Sequence, residues 1–290
     1  GASSVVASSA LITGTGADMT TAQLATLDDL TSGIITTTLA TGAVASFGAM
    51  TDDNGNNAIT VNINGSGSIA ATLLSAIGGK TSGVVTATTV ITITGSQAQL
   101  TAALVTDATK VIAGAAVIGT ITDAGGQTLT AAALSAIGAK TSGVVTVSEA
   151  VVITGTQAEV TAALVTTDSL VVAATAVGTI SDDAGTEIAA TALSAIGAKT
   201  SGIVTVSEAI ALSGTNTELT AALVTTDDLV VAGTAVVTIT DDASTSIAAT
   251  VLSAIGGKTS GAVTASNALV ITGTAAEATA ALVTAGTLIV

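Results

Sequence analysis

Short β-branched runs alternate along this chain with short stretches of helical periodicity. Residues 144–147, 151–154, 170–172 and 177–181 are Val-, Ile- and Thr-rich runs bounded by polar turns, a pattern that predicts strands. Between them lie two kinds of helix signal. Thr156-Gln157-Ala158-Glu159, Thr215-Asn216-Thr217-Glu218 and Thr274-Ala275-Ala276-Glu277 match the capping box, with Ser96-Gln97-Ala98-Gln99 a Gln-bearing copy and a degenerate one after Gly14. In such a box the hydroxyl and the distal acid or amide each accept from a backbone N–H that the first helical turn leaves unpaired. The second signal is Ile188, Ala192, Leu193 and Ile196 at helical spacing, closed by Gly197 as a C-cap.

These elements recur. The string LSAIG(G/A)KTSG occurs four times and sets Lys80, Lys140, Lys199 and Lys258 at spacings of 60, 59 and 59 residues. Gly95, Gly155, Gly214 and Gly273 repeat in the same phase, and Val144 can be laid over Val171 at an offset of 27, which divides each repeat into halves. A helix-plus-strand unit of about 30 residues cannot bury its apolar face alone, whereas stacked copies can. The expected fold is therefore an α/β solenoid of stacked parallel strands with short helices, its ~30-residue half-repeats paired into repeats of 59–60. The alternative is a tandem array of small mixed α/β or β-sandwich domains. The expected organisation is a partial repeat over 1–35, an atypical insertion over 36–67, and regular repeats over 68–290 (68–127, 128–186, 187–245 and a partial 246–290).

Composition narrows function chiefly by exclusion. Five Lys and no Arg face 20 acidic residues, for a net charge of −15, and Cys, His, Trp, Tyr and Pro are absent. That removes imidazole and thiol chemistry and leaves no clustered cations for nucleic-acid phosphates. Phe47 is the sole aromatic residue, so sugar-stacking platforms are missing as well. No enzymatic activity is expected. Polar residues interrupt every apolar run well before the roughly 20 residues a spanning helix needs, so the chain is read as not membrane-spanning.

Four polar features remain as candidates. Gly79-Lys80-Thr81-Ser82 has the ending of a phosphate-binding loop, yet Leu74 stands where the loop needs Gly, and the helix precedes the motif. The acidic turns at Asp52, Asp53 and Asn54, at Asp123, at Asp182 and Asp183, and at Asp241 and Asp242 offer oxygens of the type calcium takes. They lack EF-hand spacing, and turn chemistry alone also accounts for them, so calcium is a possible cofactor and no other is expected. Asp168, Asp227 and Asp228 occupy nearly the half-repeat position of Lys140 and Lys199, which predicts alternating charge along one edge. Finally, Thr86, Thr146, Thr205 and Thr264 share one repeat position, and Thr120, Thr179 and Thr238 share another. Stacked hydroxyls of that kind raise an ice-binding alternative, although β-branched Thr is also a generic strand residue.

The segment LSAIGAKTSGVVTVSEAVVITGTQAEVTAALVTTDSLVV over residues 134–172, with its copies, resembles the Ala/Thr/Val/Gly-rich tandem repeats of long bacterial extracellular surface proteins, S-layer-like or adhesin-like and of cyanobacterial type. The resemblance implies an extracellular structural or adhesive role and carries over no catalytic residue. The ends add a further expectation. Val5 and Val6 align with a strand, as do Leu288, Ile289 and Val290. Uncapped strand stacks template further pairing, so the chain is expected to polymerise head to tail with copies of itself, with Phe47 and Met50 as interface anchors.

Overall fold

The computed structural model describes residues 11–14, 19–50, 57–87, 89, 91–109, 111–114, 117–167, 170–225 and 230–283. Val5, Val6, Asp52, Asp53, Asn54, Asp168, Asp227, Asp228, Leu288, Ile289 and Val290 lie outside those residues. The chain forms two compact units: residues 1–123 with 136–148, and residues 124–135 with 149–290.

In the first unit the chain runs through β1 (Ile12–Thr13), α1 (Thr21–Asp28), β2 (Ile35–Thr38), β3 (Ala58–Ile63), β4 (Gly67–Ala70), α2 (Ala71–Gly78), β5 (Val85–Ala87) and β6 (Ile91–Gly95). It continues through α3 (Gln97–Leu100), β7 (Val111–Ala113) and β8 (Ile118–Ile121). The passage between units holds β9 (Thr128–Thr130), α4 (Ala131–Gly138) and β10 (Val145–Val147), with the boundary falling inside α4. The second unit continues with β11 (Val152–Gly155), α5 (Gln157–Leu164), β12 (Val171–Val172), β13 (Val177–Ile180), β14 (Glu187–Ala189), α6 (Ala190–Gly197), β15 (Val204–Val206) and β16 (Ala211–Gly214). It closes with α7 (Asn216–Leu223), β17 (Val230–Val231), β18 (Val236–Ile239), β19 (Ser246–Ala248), α8 (Ala249–Gly256), β20 (Val263–Ala265), β21 (Val270–Thr272) and α9 (Ala275–Leu282).

Each unit is an α/β solenoid-like stack. In the first, β1-β2-β3-β5-β7 form one sheet and β4-β6-β8-β10 line up in another. In the second, the sheets are β9-β11-β13-β15-β17, β14-β16-β18-β20 and β19-β21. The strand pairings are parallel throughout, for example Gly178↔Val204 and Leu212↔Val237.

Within the regular repeats strands pair with the second strand after them, so two strands make one coil. From Glu187 to Ser246, one 59-residue repeat, the chain lays down five strands, β14 to β18. One repeat is thus two and a half coils, not two. The helices accordingly start at unequal intervals of 33 and 26 residues, at Gln157, Ala190, Asn216, Ala249 and Ala275, where equal halves of about 30 were expected. The half-coil also has a topological consequence. α6 and α7 follow even-numbered strands, whereas α8 and α9 follow odd-numbered ones. Successive helix pairs therefore leave the coil from alternate strands.

The extra strand is the one hidden in the helix signal. Ile188 does not belong to α6; it sits in β14, in register with Leu212, and the helix starts only at Ala190. Both elements point apolar residues inward, so Ile188, Leu193 and Ile196 are all buried. The core is filled almost wholly by Val, Ile, Leu and Ala. Each fully buried Val, Leu or Ile contributes about 1.5–3 kcal/mol.

The atypical stretch 36–67 is more regular than its composition suggests. It supplies most of β2 and all of β3, both members of the first unit's sheet, and a 3-10 turn at Val44–Phe47. Phe47 and Met50 are each 2% exposed. Their expected role as interface anchors is corrected: with no other aromatic residue in the chain, the one large ring is used to fill this irregular part of the core.

Candidate functional site

One set of recurring polar side chains converges on the N-termini of the capping-box helices. Thr156 Oγ1 accepts from the Glu159 N–H at 3.3 Å, and Glu159 Oε2 accepts from the Thr156 N–H at 2.9 Å. The same reciprocal pair forms at Thr20–Gln23, Ser96–Gln99, Thr215–Glu218 and Thr274–Glu277. The four boxes that follow Gly95, Gly155, Gly214 and Gly273 are those read from the sequence; the degenerate copy after Gly14 lies outside the described residues, and the box at Thr20–Gln23 stands further on.

A third acceptor comes from a later coil. Asp182 Oδ2 accepts from the Gln157 N–H, and Asp241 Oδ2 from the Asn216 N–H, each at 2.6 Å. In the first unit Asp123 Oδ2 does the same for the Gln97 N–H, also at 2.6 Å. Three of the four orphan donors of each of these helices are thereby satisfied, and a carboxylate stands at the positive end of the helix dipole. Asp241 is the most enclosed, 8% exposed. Its Oδ1 accepts from Asn216 Nδ2 at 2.7 Å, and its backbone carbonyl accepts from Asn267 Nδ2 at 2.8 Å. Asp241→Ala should destabilise the second unit by about 1–2 kcal/mol, the scale of a lost cap. Amide exchange would check it, with the Asn216 N–H losing protection first.

The KTSG turn is the second recurring tie. Thr200 is buried; its hydroxyl donates to the Ala176 carbonyl of the preceding coil and accepts from the Gly202 N–H at 3.0 Å. Thr259 repeats this with the Ala235 carbonyl and the Gly261 N–H. In the first unit Thr81 accepts from the Ile59 N–H at 2.7 Å. The glycine that follows is required by proximity: a Cβ on Gly202 would meet the Ala176 carbonyl oxygen at 2.2 Å, and one on Gly83 would meet that of Ile59 at 2.3 Å. Lys80 carries no phosphate-loop geometry. Its Nζ donates to the carbonyls of Gly48 at 3.3 Å and Met50 at 2.8 Å, tying down the irregular stretch beside Phe47.

Hydroxyls also line the outward faces. Thr130, Thr154, Thr179 and Thr205 stand in one register across β9, β11, β13 and β15. Ser213, Thr238 and Thr264 do so across β16, β18 and β20, and Thr94, Thr120 and Thr146 in the first unit. In these three sheets the two repeat positions noted in the sequence therefore merge into one column, at the ~4.8 Å strand spacing, whereas Thr86 stands between Asn62 and Ile112. The column beside it is mixed: Thr128 and Val152 pair, as do Val152 and Val177. Shallow clefts mark these surfaces, among them one of about 210 Å³ by Leu104 and Lys140 and one of about 230 Å³ by Leu223 and Lys258.

The Thr274 N–H, at 2.7 Å, and then the Thr274 hydroxyl hold the exposed Glu277 carboxyl below its ordinary range. A depressed folded-state pKa means stability that is present above the unfolded value and lost as pH falls through the folded one. The first turn of α9 should therefore loosen as pH falls through and below the ordinary carboxylate range. Glu277→Gln should remove that pH dependence, as read from the Glu277 and Thr274 amide shifts in an NMR titration.

The calcium candidates are distributed differently from the expectation. Asp123, Asp182 and Asp241 are engaged at helix N-termini, while Asp183 and Asp242 are exposed on the turns beyond them. Among the described residues no group of three or more Asp, Glu, His or Cys is placed to hold a metal ion. No described helix is long and apolar enough to cross a membrane. No family model, curated protein or solved structure matches this chain.

Proposed function

We propose that this protein is a non-catalytic structural repeat protein of the cell exterior, working as a self-associating subunit of a filament or surface layer. The observation that carries the reading is the tie of coil to coil: Asp182 to Gln157, Asp241 to Asn216, Thr200 to Ala176 and Thr259 to Ala235. The side chains that would serve a reaction centre are instead spent on extending a stack. The groups that join consecutive coils are carried by every repeat, so the coil faces of two copies are complementary in the way that those within one copy are. A heterologous contact of this kind propagates instead of closing. The small, acidic composition and the resemblance to bacterial surface repeats support the extracellular placement.

Sedimentation velocity over a wide concentration range, followed by negative-stain microscopy, tests it. Concentration-dependent growth into fibres or sheets is expected; a monomer at every concentration contradicts it. A second reading, ice binding, is favoured by the Thr130–Thr154–Thr179–Thr205 column alone. It requires thermal hysteresis that Thr179→Lys abolishes, and absence of hysteresis removes it.

A further inference from the structure

The link from β3 to β4 is Asn64-Gly65-Ser66, and the two strands it joins belong to different sheets of the first unit. Asn64 and Gly65 are both exposed. The Asn64 N–H donates to the Gly42 carbonyl at 2.9 Å, while its side-chain amide makes no hydrogen bond among the described residues. Gly65 sits at φ 153°, a conformation that favours glycine, and a Cβ built there meets nothing within 4 Å. No neighbouring atom crowds this part of the backbone. One polar tie holds the Gly65 nitrogen. Its N–H donates to Thr89 Oγ1 at 3.0 Å, and the Thr89 hydroxyl donates back to the Gly65 carbonyl at 2.6 Å. Thr89 is itself exposed, so water competes for both bonds.

We propose that Asn64-Gly65 is a site of spontaneous backbone modification, at which Asn64 becomes aspartate or isoaspartate by way of a cyclic imide. Asparagine is among the thermally labile residues, and the position decides which one reacts. The Gly65 nitrogen attacks Asn64 Cγ. The N–Cγ bond forms, the Cγ–Nδ2 bond breaks, and the amide leaves as ammonia after receiving the Gly65 proton through water. Water then opens the imide at either carbonyl. Opening at Cγ gives aspartate; opening at the backbone carbon gives isoaspartate, whose main chain is longer by the Asn64 Cβ. No electron is gained or lost, and water is the only other reactant. Either product adds a carboxylate to a chain already at −15, and isoaspartate lengthens the link between two sheets. Thr89 is a positioning residue for this step, because ring closure has to draw the Gly65 nitrogen away from its hydroxyl.

The other described asparagines lack the combination. Asn57 is buried, and its Nδ2 donates to Asp28 Oδ1 at 2.9 Å. Asn62 lies within β3, before the β-branched Ile63. The Nδ2 groups of Asn216 and Asn267 are both bonded to Asp241, and the residues that follow are Thr217 and Ala268. Among the described residues, only Asn64 joins an exposed, unbonded amide to a glycine nitrogen.

The test is ageing of the intact chain at mildly alkaline pH, native and in urea side by side. Asn54→Gln is carried in every sample so that the Asn54-Gly55 pair does not contribute. Mass spectrometry with fragmentation follows each asparagine, and hydroxylamine, which cleaves at the imide, traps the intermediate. In the native chain Asn64 should convert within severalfold of its rate in urea, with isoaspartate among the products, while Asn57, Asn62, Asn216 and Asn267 remain amides. Asn64→Gln should stop the reaction at this site. Thr89→Val should raise the native rate severalfold and leave the rate in urea unchanged, and Thr89→Ser should restore the slower rate. An Asn64 that stays an amide in the native chain while it converts in urea overturns the proposal, as does native conversion spread evenly over the asparagines. A native rate unchanged by Thr89→Val overturns the control assigned to Thr89.

Discussion

Gly202→Ala should destabilise the second unit by about 1–3 kcal/mol, the usual cost of forcing extra volume into a packed site. The new methyl would lie 2.2 Å from the Ala176 carbonyl oxygen, and the obstacle is backbone, which has no rotamer by which to retreat. The same shift would pull Thr200 away from the Ala176 carbonyl and stretch the Gly202 N–H bond to its hydroxyl. The tie to the preceding coil and the turn that presents it therefore suffer together. Gly233→Ala is the control. A Cβ there meets nothing within 4 Å, so the substitution should be neutral or stabilise by up to about 1 kcal/mol through the unfolded chain. Thermal melts of the two variants measure the contrast, and equal melting temperatures would mean that the coils are not in this close contact.

Leu193→Ala should cost more, about 2–5 kcal/mol, because it removes a fully buried side chain and leaves a cavity in the core. Leu193 lies in the middle turn of α6, which packs against α5 and α7 and against β14 and β16. In a stack whose coils touch mainly their neighbours, the loss should stay local. Hydrogen exchange should show β14, α6 and β16 opening at lower free energy than β20. Denaturant melts give the total, and a change below 1 kcal/mol would contradict the packing described here.

The features legible in the sequence were those whose partners lie a few residues away. The capping boxes of the regular repeats could be read because Thr156 and Glu159, or Ser96 and Gln99, are three residues apart and bond each other. The parallel stack followed from repetition and from small side chains. What escaped the sequence was register. Ile188 fits helical spacing with Leu193 and equally fits a strand, and only its pairing with Leu212 decides. Missing that strand hid the half-coil, and with it the merging of two Thr positions into one column. The role of Asp182 was hidden for the same reason, since its partner Gln157 is 25 residues away and meets it only when coil lies on coil. Phe47 looked like an interface anchor because it lies in the atypical stretch outside the regular repeats, and the irregular chain around it nevertheless closes over the ring.

The central claim is that the repeat's carboxylates hold one coil to the next. Native-state hydrogen exchange of the Gln157 and Asn216 amides, in the wild type and in Asp182→Ala with Asp241→Ala, tests it most directly. Both amides should be strongly protected in the wild type and lose that protection by at least about tenfold in the variant, equivalent to about 1.4 kcal/mol, while the Glu159 and Glu218 amides, bonded within their own capping boxes, change far less. Fast exchange at Gln157 and Asn216 in the wild type, or protection that survives removal of both aspartates, would contradict the account.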